Sequence, residues 1–160
     1  MSLRIAGLAL AMTLATPASA QPTDAMRFFE GRTESVGTVK VAMRKPFRSK
    51  AIGKGEILPD GSLKLVQRVE DQGELPRERR WHMRKIAPGR YSGTMSEARG
   101  PVTAEEVNGR FRFRFRMDGG ITVEQWLIPT PDGRSAQSKV TIRKYGVRVG
   151  GSDAVIRKLN

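Results

Sequence analysis

The sequence has 160 residues, with 29 Lys plus Arg against 16 Asp plus Glu, one His, no Cys, a formal charge of +13 and a pI near 11.0. That length suits one core of the usual roughly 100 to 200 residues. Without Cys there is no disulfide, no thiolate zinc site and no thiol nucleophile, and a lone His excludes any site needing two imidazoles, so no metal and no cofactor is expected. The charge favours anionic company without naming it.

The chain opens on the pattern of a secretory signal. Arg4 supplies a positive start, Ile5 to Leu14 an apolar run, and Ala18-Ser19-Ala20 a small-residue cleavage site. A run of about ten residues is too short for a hydrocarbon core of roughly 30 Å, and Pro17 ends it. Residues 1–20 are therefore expected to be removed, leaving one domain over residues 21–160 in the periplasm. Arg4 is the sole charge in that segment, so the exported chain stays strongly basic while losing many apolar residues. A core that lean must come from strands with one wet face.

Asp24 can cap one short helix carrying Met26, Phe28 and Phe29 before Gly31 stops it. Beyond it, period-two patterning predicts strands at Arg32 to Ala42, Arg48 to Leu58, Ser62 to Asp71, Glu78 to Ile86 and Arg90 to Ala98. Further strands are predicted at Val102 to Val107, Arg110 to Asp118, Ile121 to Ile128, Ser135 to Lys144 and Val147 to Lys158. Pro59-Asp60-Gly61, Pro88-Gly89, Asn108-Gly109, Asp118-Gly119-Gly120 and Asp132-Gly133 supply the turn residues between them. Strands joined in sequence by hairpins make an antiparallel meander, and closure into an all-β barrel of about eight to ten strands removes its two sticky edges. Ala154, Val155, Ile156 and Leu159 argue that the last segment packs.

Three patterns bear on function. In Arg110-Phe111-Arg112-Phe113-Arg114-Phe115-Arg116, a strand sends three rings to one face and four guanidinium groups to the other. Four like charges in a row need carboxylates opposite or an anion above them, and Glu105, Glu106 and Glu124 are placed to neutralise some of them. In the cluster Arg77, Arg79, Arg80, Trp81, His82, Met83, Arg84 and Lys85, alternation sends Trp81 and Met83 inward and Arg80, His82 and Arg84 outward, so no nucleic acid is expected as partner. Gly53-Lys54-Gly55 has no following helix and reads as a bulge or a tight barrel bend rather than a phosphate cradle. Adjacent Glu105 and Glu106 would point to opposite faces, and no nucleophile stands recognisably with a base, so no catalytic residues are assigned and the protein is expected not to be an enzyme.

Several segments together resemble a bacterial envelope family known as domain-of-unknown-function family 3833. The likeness lies in Phe28-Phe29-Glu30-Gly31 with Gly37 after it, Arg79-Arg80-Trp81-His82-Met83, Gly89-Arg90-Tyr91-Ser92-Gly93-Thr94 and Ala98-Arg99-Gly100. It continues in Trp126-Leu127, Ser138-Lys139 and Lys144-Tyr145-Gly146-Val147-Arg148-Val149-Gly150. The resemblance implies a lipocalin-like (calycin-like) barrel in a Gram-negative envelope and brings no catalytic residues. Two departures stand out: the lipobox cysteine common in the family is missing, which reads as a protein without a lipid anchor, and Glu124-Gln125 replaces paired Asp before the Trp.

Two functions follow as expectations. The first is a binding module whose interior, formed by Trp81, Met83, Phe111, Phe113, Phe115 and Trp126, takes a lipid, glycolipid or other amphiphile. The second is docking on anionic lipid or lipopolysaccharide through an Arg face made of Arg110, Arg112, Arg114 and Arg116 with Arg80 and Arg84. The sequence carries no signal for oligomeric state.

Overall fold

The computed structural model describes residues 24–159, so the expected signal segment lies outside the described residues. Asp24 caps a single helical turn, α1 (Ala25–Phe28), its carboxylate accepting from the Met26 amide at 2.9 Å. Ten strands follow: β1 (Gly31–Val41), β2 (Phe47–Ile57), β3 (Leu63–Asp71), β4 (Arg77–Ala87), β5 (Arg90–Met95), β6 (Arg99–Val107), β7 (Arg110–Met117), β8 (Ile121–Pro129), β9 (Ser135–Lys144) and β10 (Val147–Leu159). Each pairs antiparallel with its neighbours in sequence, and β1 pairs with β10, so the meander closes into a lipocalin-like barrel without a free edge. The last segment does not fray; it runs alongside β1 from Arg32↔Leu159 to Val41↔Gly150.

The strands fall within a residue of the predicted ones except at one corner. Ser96 to Ala98 form a turn, closed by the Ala98 amide donating to the Met95 carbonyl at 2.9 Å, and β6 begins earlier than predicted, at Arg99. A bulge between Arg99 and Thr103, with Gly100 at φ +75°, carries β6 through this corner. Alternation then sets the faces. On β7, Phe111 and Phe113 are buried while Arg110 and Arg114 are exposed. An apolar interior with a charged exterior is the reverse of a membrane-spanning barrel, whose outer band is apolar.

One end of the barrel is closed. The starts of β1, β5 and β7 and the ends of β2 and β8 meet there. Met26, Phe28 and Phe29 of the α1 segment pack among Tyr91, Phe111, Leu127 and Ile156. Phe28 meets Phe29 edge-on at 5.1 Å, and Tyr91 meets Phe111 at 6.4 Å. Of the bulge or tight bend expected at Gly53-Lys54-Gly55, the bulge is not present: β2 pairs regularly with β1 and β3 through this stretch. The glycines answer a different need. A Cβ at Gly55 would stand 1.8 Å from the Phe29 carbonyl oxygen, so its absence lets α1 settle into the barrel end.

Candidate ligand cavity and its mouth

Above this floor the barrel is hollow. A cavity of about 590 Å³ runs from Phe29 to the opposite strand ends, within the range of about 300 to 1,000 Å³ common for small-ligand sites. Trp81, Met83, Phe113 and Phe115 line it, as the alternation of β4 and β7 predicts, together with Leu63, Leu65, Val69, Val123 and Ile156. The Trp81 and Phe115 rings meet edge-on with centroids 5.8 Å apart.

Two of the expected interior rings do not border the cavity. Phe111 is fully buried in the floor and does not border the cavity, because it is the first ring of β7 and lies at the closed end. Trp126 is on the outer wall. Val123, Gln125 and Leu127 of β8 take the inward positions, so Trp126 alternates outward and lies under the Arg112 guanidinium, 5.3 Å from its centroid.

The wall is apolar with a few polar groups set into it. The Trp81 indole donates to Gln67 Oε1 at 2.8 Å, and Gln125 Nε2 donates to Ser138 Oγ at 2.8 Å. Those bonds engage the Gln67 oxygen and the Gln125 nitrogen; Ser35, Ser49 and Ser152 add hydroxyls.

At the mouth, β3, β4 and the β5–β6 turn bring together Asp71, Arg77, Arg79 and Glu97. Arg77 donates to Asp71 at 2.6 Å and to Glu97 at 2.9 Å, and Arg79 reaches the other Glu97 oxygen at 2.7 Å. Burial alone would raise the Asp71 carboxyl, but hydrogen bonds from Ser49 and Arg77 and the charges of Arg77 and Arg79 outweigh it and hold it below the usual carboxylate value. Two cations and two carboxylates balance, giving a polar but neutral gate. Sequence reasoning missed this quartet. The signal was present, since the period that sends Trp81 and Met83 inward sends Arg77 and Arg79 inward as well. Arg44 also borders the mouth, 5.4 Å from the Phe47 centroid and 3.6 Å from Glu74.

The outward arginines lie where expected, but the strip on β7 is partly neutralised. Arg112 and Arg114 both pair with Glu105, the latter at 3.0 Å, and Arg114 approaches Glu124 at 3.7 Å. Hydrogen bonding from Arg112 and the neighbouring guanidinium charges keep the Glu105 carboxyl below its ordinary value. Arg80 pairs with Glu78, while Arg84, Arg110 and Arg116 are exposed. His82 points outward beside Ser62, with Nε2 2.9 Å from its hydroxyl.

With cavity and fold in view, comparison with known proteins decides the family. The model described as "Protein of unknown function (DUF3833)" matches residues 5–158. The chain belongs to the DUF3833 family. No protein among the curated sequences matches it. Among solved structures, the S-type phycobiliprotein lyase CPES from Guillardia theta is similar, with 10% identity and a TM-score of 0.64, over 84% of this chain and 91% of that one. A protein assigned as AttH from Nitrosomonas europaea is similar at 12% identity with a TM-score of 0.35, over 91% of this chain and 56% of that one. The first likeness shows a shared fold. It also corrects the expectation that this DUF3833 member is not an enzyme: a lyase is built on such a barrel, so the want of a recognisable nucleophile and base in the sequence does not rule catalysis out.

Proposed function

We propose that this DUF3833 protein holds one amphiphilic small molecule, lipid or glycolipid in kind, inside its barrel, and that it does so in the periplasm. The observation that carries the reading is the cavity of about 590 Å³. Between Phe29 and Trp81 its wall is mainly apolar, with Gln125 and Ser138 set into it, and it ends in the neutral quartet of Asp71, Arg77, Arg79 and Glu97. A molecule with a hydrocarbon body and a polar end suits that gradient, since the body removes apolar wall from water while the polar end finds donors and acceptors at the mouth. Gln67 and Gln125 offer hydrogen bonds part-way down. The location rests on the signal-like order of Arg4, the apolar run and Ala18-Ser19-Ala20.

The test uses the two tryptophans, one inside and one outside. In a Trp126→Phe background, Trp81 alone reports, and addition of a long-chain fatty acid or lysophospholipid is expected to shift and quench its emission. Ala51→Phe, which fills part of the lumen, is expected to weaken that response about tenfold or more while leaving the fold intact. Native mass spectrometry of protein taken from its own host should show a retained small molecule. An unresponsive Trp81 together with a bare mass would end the proposal.

A further inference from the structure

The four most exposed large apolar side chains among the described residues are Met43 at 104%, Leu75 at 87%, Tyr145 at 78% and Val147 at 67%. All four lie at the open end of the barrel. Met43 sits between β1 and β2, Leu75 between β3 and β4, and Tyr145 and Val147 where β9 turns into β10. In the closed order these strands are consecutive, β9-β10-β1-β2-β3-β4, so the three tips form one continuous arc of the rim.

The arc is not explained by packing. Met43 and Tyr145 hold φ values of +64° and +47°, a conformation that glycine or asparagine adopts more readily than a bulky side chain. The third non-glycine residue at positive φ, Asn108, is of the expected type in an Asn-Gly turn. At Met43 the chain accepts an unfavourable backbone to present a side chain that the fold does not bury. Tyr145 is steadied from below: its amide donates to the Gly120 carbonyl at 3.0 Å, and its ring lies so close over Gly120 that a Cβ there would come within 2.3 Å.

The charge around the arc is one-sided. Arg44, Lys45 and Arg48 flank Met43, and Arg143, Lys144 and Arg148 flank Tyr145 and Val147; against them stand Glu74, paired with Arg44, and Asp71 at the end of β3, paired with Arg77. Across the mouth the β5–β6 and β7–β8 turns carry Glu97 and Asp118, both paired with arginine. Apolar tips set in a basic ring match an anionic bilayer, whose headgroups meet the cations while the tips enter the interface.

We propose that this arc, and not the Arg strip of β7, docks the barrel mouth-first on an anionic phospholipid bilayer through Met43, Leu75, Tyr145 and Val147. The contact does not depend on what the cavity holds.

Flotation with vesicles of equimolar phosphatidylglycerol and phosphatidylcholine tests it. Binding is expected to weaken in pure phosphatidylcholine and in about 1 M salt, where the screening length falls from about 10 Å to about 3 Å. A variant combining Met43→Asn, Leu75→Ser, Tyr145→Asn and Val147→Thr, with turn-compatible choices at the two positive-φ sites, should lose partitioning by about tenfold or more while keeping the wild-type melting temperature and the Trp81 response to ligand. Arg110→Gln with Arg116→Gln should bind like the wild type. In a Trp81→Phe, Trp126→Phe background, Leu75→Trp should be quenched by bromine-labelled lipid. Unchanged binding by the four-site variant, or loss confined to the β7 pair, would overturn the proposal. So would a dimer, seen by analytical ultracentrifugation, that the four-site variant dissolves while the wild type ignores vesicles. Loss of the Trp81 response with vesicle binding intact would strike the ligand reading and leave this one standing.

Discussion

Tyr91 donates its hydroxyl to Asp24 at 3.2 Å inside the barrel floor, where it is 3% exposed. Burial, helped by the Asp24 charge and this hydrogen bond, pushes its pKa up to about 12 from an ordinary value near 10. The unfolded chain therefore gives up this proton first as pH rises. Stability from this group should be complete below pH 10 and decline as pH climbs towards 12, by on the order of 2 kcal/mol, and Tyr91→Phe should flatten that limb of a urea-melt pH series. Asp71 has the opposite sign: its lowered carboxyl stabilises the fold above about pH 4 and ceases to as pH falls below, a loss that Asp71→Asn should remove from the acid limb. Gly55→Ala drives a methyl towards the Phe29 carbonyl and should cost about 2 kcal/mol or more in a thermal melt, since backbone lies in its way. Trp126 shows where single residues misled. An aromatic residue in a lean sequence reads as core, yet period two counted from Val123 and Leu127 sends it out, onto Arg112.

At the scale of elements, alternation located every strand but β5 and β6 to within a residue, because Gly and Asp-Gly turns and a two-residue period leave few other registers. The β5–β6 corner escaped because its turn holds no proline and its Gly100 stands beyond it, inside a bulge that only pairing across to Arg116 reveals. On β4 the expected strand begins at Glu78 and leaves Arg77 outside it, and an inward Arg79 runs against the rarity of buried charge. What makes them tolerable inside is Asp71, close by across the β3–β4 hairpin, and Glu97, brought from the β5–β6 turn by pairing that a short sequence window does not contain. The helix α1 is only four residues long and would not persist alone; its place depends on Phe28 being buried. Phe28→Ala should cost about 3 to 5 kcal/mol in urea unfolding. Asp24→Ala removes both the α1 cap and the Tyr91 partner, and should cost about 1 to 2 kcal/mol, more than Tyr91→Phe.

For the molecule as a whole, the barrel was legible because ten hairpin-linked strands have edges to hide, whereas the hollow was not. Alternation says which side chains face inward but not whether they meet in the middle, and that depends on how many strands surround them. The charge, too, changes meaning at this scale. Counted along the chain it is a uniform excess; arranged on the barrel, Glu105 and Glu124 quiet the β7 strip, while the rim from β9 to β4 carries more cations than the Glu74 and Asp71 beside it offset. Among the described residues, α1 closes one end of the lumen and the far rim opens the other. If the barrel holds the amphiphile proposed above, that guest backs out the way it came, so the end that enters first is the last to leave. On that reading guests replace one another in turn, never by one pushing another through.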